Sequence, residues 1–271
     1  MSDTPTLYDS MRNLLTGRVA IVTGGGKGIG RAISLGFAAA GARIVLAARD
    51  SAELEETRQQ CSALGTECIS VGTDVQSHEQ VRAMVRTTIE RFGAVDILVN
   101  NAGIAGPTAE IENMKIEEWE ATISINLTGP FLCCREVLPG MKQRRKGRII
   151  NISSITGRRP LLMRAPYAAS KLGLVGFTRT LALEAGPYGI TVNAISPGAT
   201  AGPRLERVIE AQAQAQNRSK EDVATDLSAG AALKRFVQPD DIAATAVFLA
   251  SDLARNITGE DCNVSGGLYM W

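Results

Sequence analysis

A single α/β domain, with a parallel sheet covered by helices on both faces, is the fold this chain predicts, and three observations predict it. Short β-branched apolar runs alternate with longer helical patterns along most of the length. The strand runs are continuously apolar instead of alternating with polar residues, as burial on both faces demands. No shift of composition and no linker marks a second domain, so residues 17–271 are expected to form one unit.

The elements follow in order. Residues Met1 to Thr16 are polar and irregular and read as a loosely held N-terminal arm. Arg18-Val19-Ala20-Ile21-Val22-Thr23 reads as the first strand, and it ends in the glycine-rich turn Gly24-x-x-x-Gly28-x-Gly30 before a helix. A strand, a glycine turn and a helix N-terminus suit a pyrophosphate, because free backbone N–H groups and the helix dipole point at it. The spacing is not the common GxGxxG, and a tight strand-to-helix connection alone would also explain the glycines.

Further strands are expected from Arg43 to Ala48, from Glu67 to Thr73, from Val95 to Asn100, from Arg148 to Ser154, from Ile190 to Ser196 and from Asp261 to Val264. Helices are expected over 52–64, 77–92, 116–146, 165–184 and 239–250. Asn126 falls among apolar neighbours inside the 116–146 helix, where its amide needs a partner. The stretch 199–236 breaks the alternation; it is polar and rich in Ala and Gln, and reads as one or two short helices forming a lid.

The helix from Ala165 to Glu184 carries the chemistry. Tyr167 and Lys171 lie four apart and so share a face. A nearby ammonium favours the ionised form of a phenol and brings it toward proton exchange with a carbonyl or an alcohol. Ser153 and Ser154, at a strand's C-terminal end, face the crevice where this sheet type binds ligands.

Composition excludes several classes. The 271 residues suffice for one large, well-buried domain, and a net charge of +1 offers no bulk pull toward nucleic acid or anionic membrane. The basic run Lys142 to Lys146 falls at a helix end, where cations suit the dipole. Five cysteines lack metal-ligand spacing, so no metal is expected. The single histidine, His78, sits at a polar helix start, which argues against a Ser-His-Asp hydrolase. No signal peptide and no membrane-spanning stretch is evident, so a cytoplasmic protein is expected.

Taken together, Thr23-Gly24-x-x-x-Gly28-x-Gly30, Asp74, Asn100-Asn101-Ala102-Gly103, Asn126, Ser154, Tyr167-x-x-x-Lys171 and Pro197-Gly198 resemble the single-domain short-chain dehydrogenase/reductase family, in that family's order. The resemblance covers Gly17 to the end. It implies a Rossmann-like, doubly wound sheet of seven strands and an oxidoreductase moving hydride between a nicotinamide dinucleotide and a carbonyl or secondary alcohol. It makes Tyr167 the general acid/base, Lys171 its electrostatic partner and ribose ligand, Ser154 the donor to the reacting oxygen and Asn126 the holder of a water reaching Lys171. Cofactor contacts are implied for Gly24, Lys27, Gly28, Ile29, Gly30, Arg49, Asp74, Val75, Asn101, Ala102, Gly103, Pro197, Gly198 and Thr200.

Two departures stand out: Gly202 occupies the spacing where the family often has a threonine, and Asn263 precedes the final glycines where an aspartate is common. NADP is expected over NAD, because Ala48 stands where an acidic residue would read the ribose, with Arg49 and Lys27 at hand for a 2′-phosphate. Asp50 is read as starting the next helix. A 3-oxoacyl thioester or a small hydroxy acid is the expected substrate class, and a silent dinucleotide sensor is the alternative. Leu172, Leu174, Val175, Phe177, Leu181 and Leu183 span more than one helix face, which predicts a homo-oligomer, a dimer or tetramer. Arg164, three before Tyr167 in apolar surroundings, is either a solvated loop residue or the ligand of an anionic substrate group, with Arg158, Arg159 and Arg204 as rivals.

Overall fold

The chain enters its sheet in the middle. In the computed structural model, which describes residues 13–270, β1 (Val19–Thr23) is followed by α1 (Gly28–Ala39), β2 (Arg43–Ala48), α2 (Ser51–Ala63) and the edge strand β3 (Cys68–Gly72). Helix α3 (His78–Phe92) returns the chain to β4 (Ile97–Asn100), on the other side of β1. Then come α4 (Ile116–Ile123), α5 (Gly129–Arg144), β5 (Gly147–Ile152), α6 (Ala165–Ala185) and β6 (Ile190–Pro197). Helices α7 (Pro203–Gln216), α8 (Lys220–Ala229) and α9 (Pro239–Ala250) precede the last strand, β7 (Asp261–Val264). All neighbours are parallel and the order is β3-β2-β1-β4-β5-β6-β7. The order reverses between β1 and β4, which opens a crevice at their C-terminal ends.

Successive strand side chains point to opposite faces, so every central strand feeds two cores. Ala20, Val22, Ile44 and Leu46 pack under α1, α2 and α9, whereas Val19, Ile21, Val45 and Ala47 pack under α3, α5 and α6. This is why the strand runs are apolar throughout.

Two local features differ from the sequence reading. Of the arm expected over 1–16, residues 1–12 lie outside the described residues, and Leu15 is fully buried with its N–H donating to Ala40 O at 2.9 Å. The helix expected over 116–146 is interrupted by a π-helical segment, Ser124–Thr128, between α4 and α5. The stretch expected as one or two short helices forms two, α7 of 14 residues and α8 of 10. His78 does open α3, as expected, with its Nε2 2.7 Å from Glu136 Oε1. No helix among the described residues is long and apolar enough to cross a membrane.

Candidate active site

The crevice at the β1–β4 reversal widens into a cavity of about 530 Å³. Its floor is the glycine turn, whose packing leaves no freedom. A Cβ on Gly30 would lie 2.0 Å from Gly24 O and 2.5 Å from Asn101 Nδ2, and Gly24 holds φ at +64°. The first turn of α1 therefore approaches the strand end as closely as backbone allows, and Gly24, Gly28 and Ile29 reach the cavity surface. Thr23 Oγ1 accepts from the N–H groups of Asn101 and Ala102, both at 3.0 Å, and Asn101 Nδ2 donates to Thr23 O and Gly24 O at 2.9 and 3.1 Å. The turns after β1 and β4 are thus one rigid unit. Below it, Asn100 Nδ2 donates to Asn151 Oδ1 and Asn151 Nδ2 to Thr178 Oγ1, each at 2.8 Å, a buried polar ladder tying β4, β5 and α6.

This cradle fits a dinucleotide. Bare backbone at a helix N-terminus would meet the pyrophosphate, and a side chain at Gly30 would close the approach.

The opposite end of the cavity belongs to α6 and the segment after β5. Tyr167 and Lys171 both line it, with Lys171 Nζ 5.8 Å from the centre of the Tyr167 ring. Lys171 is buried and donates to Ile152 O at 2.7 Å. Burial, and the Arg204 guanidinium behind it, push the Lys171 ammonium down to about 7. The two serines divide their work: Ser153 Oγ donates to Lys171 O at 2.8 Å inside the protein, whereas Ser154 Oγ accepts from Thr156 N at 3.1 Å and keeps its own proton for a ligand.

Asn126 lies behind Lys171, in the π-helical segment. Its Oδ1 accepts from Ile104 N at 2.8 Å, while Nδ2 donates to Ile104 O at 3.0 Å and to Ser170 Oγ at 3.2 Å. Both amide protons are spent on the chain, and one lone pair of Oδ1 remains. The wider turn of a π-segment points this side chain inward.

Lys27, Ala102, Gly103, Pro197, Gly198 and Thr200 complete the expected residues in the cavity wall. Arg49, Asp74 and Val75 stand outside it, as do Asn126 and Gly30, the latter packed against Gly24 beneath the turn. Arg49 is exposed just past β2, and Asp50 caps α2 by accepting from Ala52 and Glu53 N–H at 3.0 and 3.1 Å. Lys27 pairs with Glu53 at 2.6 Å, a partner on α2 that no local pattern announced.

Arg164 is not solvated. It is 4 % exposed, donates to Ala105 O at 2.6 Å and Thr108 Oγ1 at 3.2 Å, and stacks over the Tyr167 ring at 5.3 Å. Its Nε is buried without a partner among the described residues. Burial draws the guanidinium pKa below its ordinary value.

The comparisons agree with this geometry. The profile described as short chain dehydrogenase matches residues 18–214. This chain belongs to that family. It is 39% identical over 259 residues to a 3-oxoacyl-[acyl-carrier-protein] reductase of Synechocystis sp., covering 95% of this chain and 99% of that one. It is also 39% identical to a D-beta-hydroxybutyrate dehydrogenase of Cupriavidus necator, over 94% and 98% of the two chains. Among solved structures, NAD+-bound xylitol dehydrogenase superposes with a TM-score of 0.91 at 32% identity, over 93% of this chain and 99% of that one. As a short-chain dehydrogenase with a Rossmann-like seven-stranded sheet, the chain is an NAD(P)-dependent oxidoreductase.

Proposed function

We propose that the chain interconverts a carbonyl compound and a secondary alcohol with NADP(H), using Tyr167 as general acid/base. The observation that carries this reading is that Ser154, Tyr167 and Lys171 line the same cavity as the glycine turn. When bound, the nicotinamide dinucleotide supplies the hydride donor or acceptor. The Tyr167 hydroxyl gives a proton to the carbonyl oxygen in reduction and takes it from the alcohol in oxidation. Ser154 donates to the same oxygen and stabilises the charge that develops there. Lys171, in its protonated form, steadies negative charge on the Tyr167 oxygen and reaches the nicotinamide ribose. Asn126 fixes the backbone at Ile104, and the free lone pair of its Oδ1 holds a water leading from Lys171. This set has no use in a silent dinucleotide sensor.

NADP is favoured because β2 ends in Ala48 and the nearest carboxylate, Asp50, is spent on capping α2. Arg49 and Lys27 would hold the 2′-phosphate, Lys27 exchanging its present partner Glu53 for it. Residues 17–271 work as one catalytic domain, with 199–236 as its lid. A small hydroxy acid or a 3-oxoacyl thioester is the substrate class, in keeping with the names of the two relatives.

Leu172 and Leu183 of α6 are 50 % and 81 % exposed, Trp119 of α4 and Phe131 of α5 are exposed too, and we assign these apolar side chains to the interface of a homo-oligomer, a tetramer in a cytoplasmic setting. A screen of carbonyls and alcohols with both dinucleotides, followed by nicotinamide absorbance, tests the reading. Turnover that prefers NADP supports it. No turnover of any carbonyl or alcohol overturns it.

A further inference from the structure

The cavity wall carries the positive groups Lys27, Arg31, Arg159, Arg164, Lys171, Arg204 and Arg207, and no Asp or Glu. Lys27 and Arg31, at the glycine end, are paired with Glu53 and Glu56 of α2, so the unbalanced positive charge lies toward the other end and favours an anion there, while the cofactor's phosphates would sit at the glycine end. Besides Lys171, two arginines from different elements stand at the other end, Arg164 and Arg204.

Arg204 sits in the first turn of α7 and is exposed. Its guanidinium reaches back to donate to the carbonyl of Gly103. That is a neutral acceptor for a group whose strongest partners are carboxylates. A Cβ on Gly103 would lie 3.0 Å from Asn126 Oδ1 and 3.7 Å from Lys171 Nζ, so the bond holds Arg204 beside the catalytic group. From the other element, Arg164 lies over the Tyr167 ring at 5.3 Å with its Nε buried and unpartnered. Its two terminal nitrogens brace the 105–108 loop, so it contributes charge and the N–H of its Nε, unpartnered among the described residues, whereas Arg204 has a whole fork to offer once it leaves Gly103. The repulsion of Arg204 is felt at both Arg164 and Lys171. An anion between the two arginines relieves it.

Resting on the oxidoreductase reading above, we infer that Arg204 is the specificity-determining residue of this site: it leaves the Gly103 carbonyl to bind the carboxylate of a short oxo or hydroxy acid, with Arg164 behind it. Arg164 lies over the Tyr167 ring and Arg204 is held beside Lys171 through Gly103, so the negative group lies within a few bonds of the reacting carbon. This fits a compact acid and not a thioester whose charge lies at the far end of a long arm. The same bond draws the start of α7 over the cavity, a position that Gln212 already supports by donating to Leu162 O at 3.0 Å.

The test uses the full chain with NADP+ present and titrates, by calorimetry, 2-oxo and 3-oxo acids of three to five carbons and their neutral methyl esters. The wild type should bind at least one acid about ten- to a hundredfold more tightly than its ester, the range of a charged hydrogen bond. Arg204→Met should remove that advantage while changing ester affinity less than about threefold, and Arg204→Lys should restore part of it. Arg159→Met, another cation of the wall, should leave the ratio in place. The inference is overturned if acids and esters bind alike in the wild type, or if no acid binds. It also fails if Arg204→Met weakens both ligands equally, or weakens the dinucleotide instead, or if the loss follows Arg159. An enzyme that turns over neutral ketones but does not favour acids refutes the role of Arg204 alone. Absence of all turnover refutes the oxidoreductase reading.

Discussion

The glycine turn after β1 and the first turn of α7 line one cavity, yet they are made of different material. At the glycine turn the working surface is backbone, and Gly30 is so closely packed that a single methyl group would meet the Gly24 carbonyl. At α7 the working surface is side chain, carried by an exposed arginine on a helix that covers the crevice. In the proposed reaction the first region would hold the dinucleotide, common to every turnover, and the second would read the substrate. A rigid cradle and an adjustable wall are physically suited to those separate tasks.

The comparison breaks most completely at Gly30. Gly30→Ala places a Cβ 2.0 Å from a backbone oxygen that cannot rotate away, so the β1–α1 turn must open. Dinucleotide binding should become undetectable by calorimetry, with α7 and its arginine unchanged. Retained affinity would mean that the cradle is looser than its packing implies.

Lys171 stands between the two regions, and its burial gives a pH signature. Its pKa is about 7 in the folded chain against an ordinary 10.5, so between those values the unfolded chain holds a proton that the folded chain has lost. The cost of burying the ammonium is therefore present in full below about pH 7 and fades as pH rises toward 10.5. Lys171→Met has no such cost. In urea unfolding without dinucleotide, wild type should gain on this variant by about one to a few kcal/mol between pH 7 and 10. A difference between the two proteins that does not vary with pH would contradict the assignment.

A smaller effect sharpens the cofactor side alone. Replacing Lys27 and Arg49 together by Met should lower catalytic efficiency with NADP about ten- to a hundredfold and leave NAD nearly unchanged, the range of lost charged hydrogen bonds. Steady-state kinetics with both dinucleotides measures it. Equal losses would show that the two cations support the turn and not the 2′-phosphate.

The same contrast explains what could be read from the sequence. The strands were legible because burial on two faces forces continuous apolar runs. The glycine turn was legible because its constraint is local and leaves only glycine as a solution. Asp50 was legible as a cap because an N-cap bond spans only two or three residues. Asn126 was legible as a buried amide, but its π-helical setting was not, since the widened turn is stabilised by Ile104 and Ser170, distant in sequence. Leu15 was invisible as a core residue, being a lone pair member with Leu14 in a polar stretch whose partner, Ala40, lies at the far end of α1. Arg204 appeared only as one cation among several. Nothing in its neighbours in the chain announces Gly103, which is a hundred residues away in sequence, and only the fold brings them together.

The central claim is that the Tyr167 phenol moves the proton while the glycine cradle, separately, holds the dinucleotide. Tyr167→Phe tests it most directly, measured for turnover and dinucleotide affinity on the same preparation. The account predicts a turnover loss of about two to four orders of magnitude with dinucleotide affinity within about threefold of wild type. Near-normal turnover in the phenylalanine variant would contradict it.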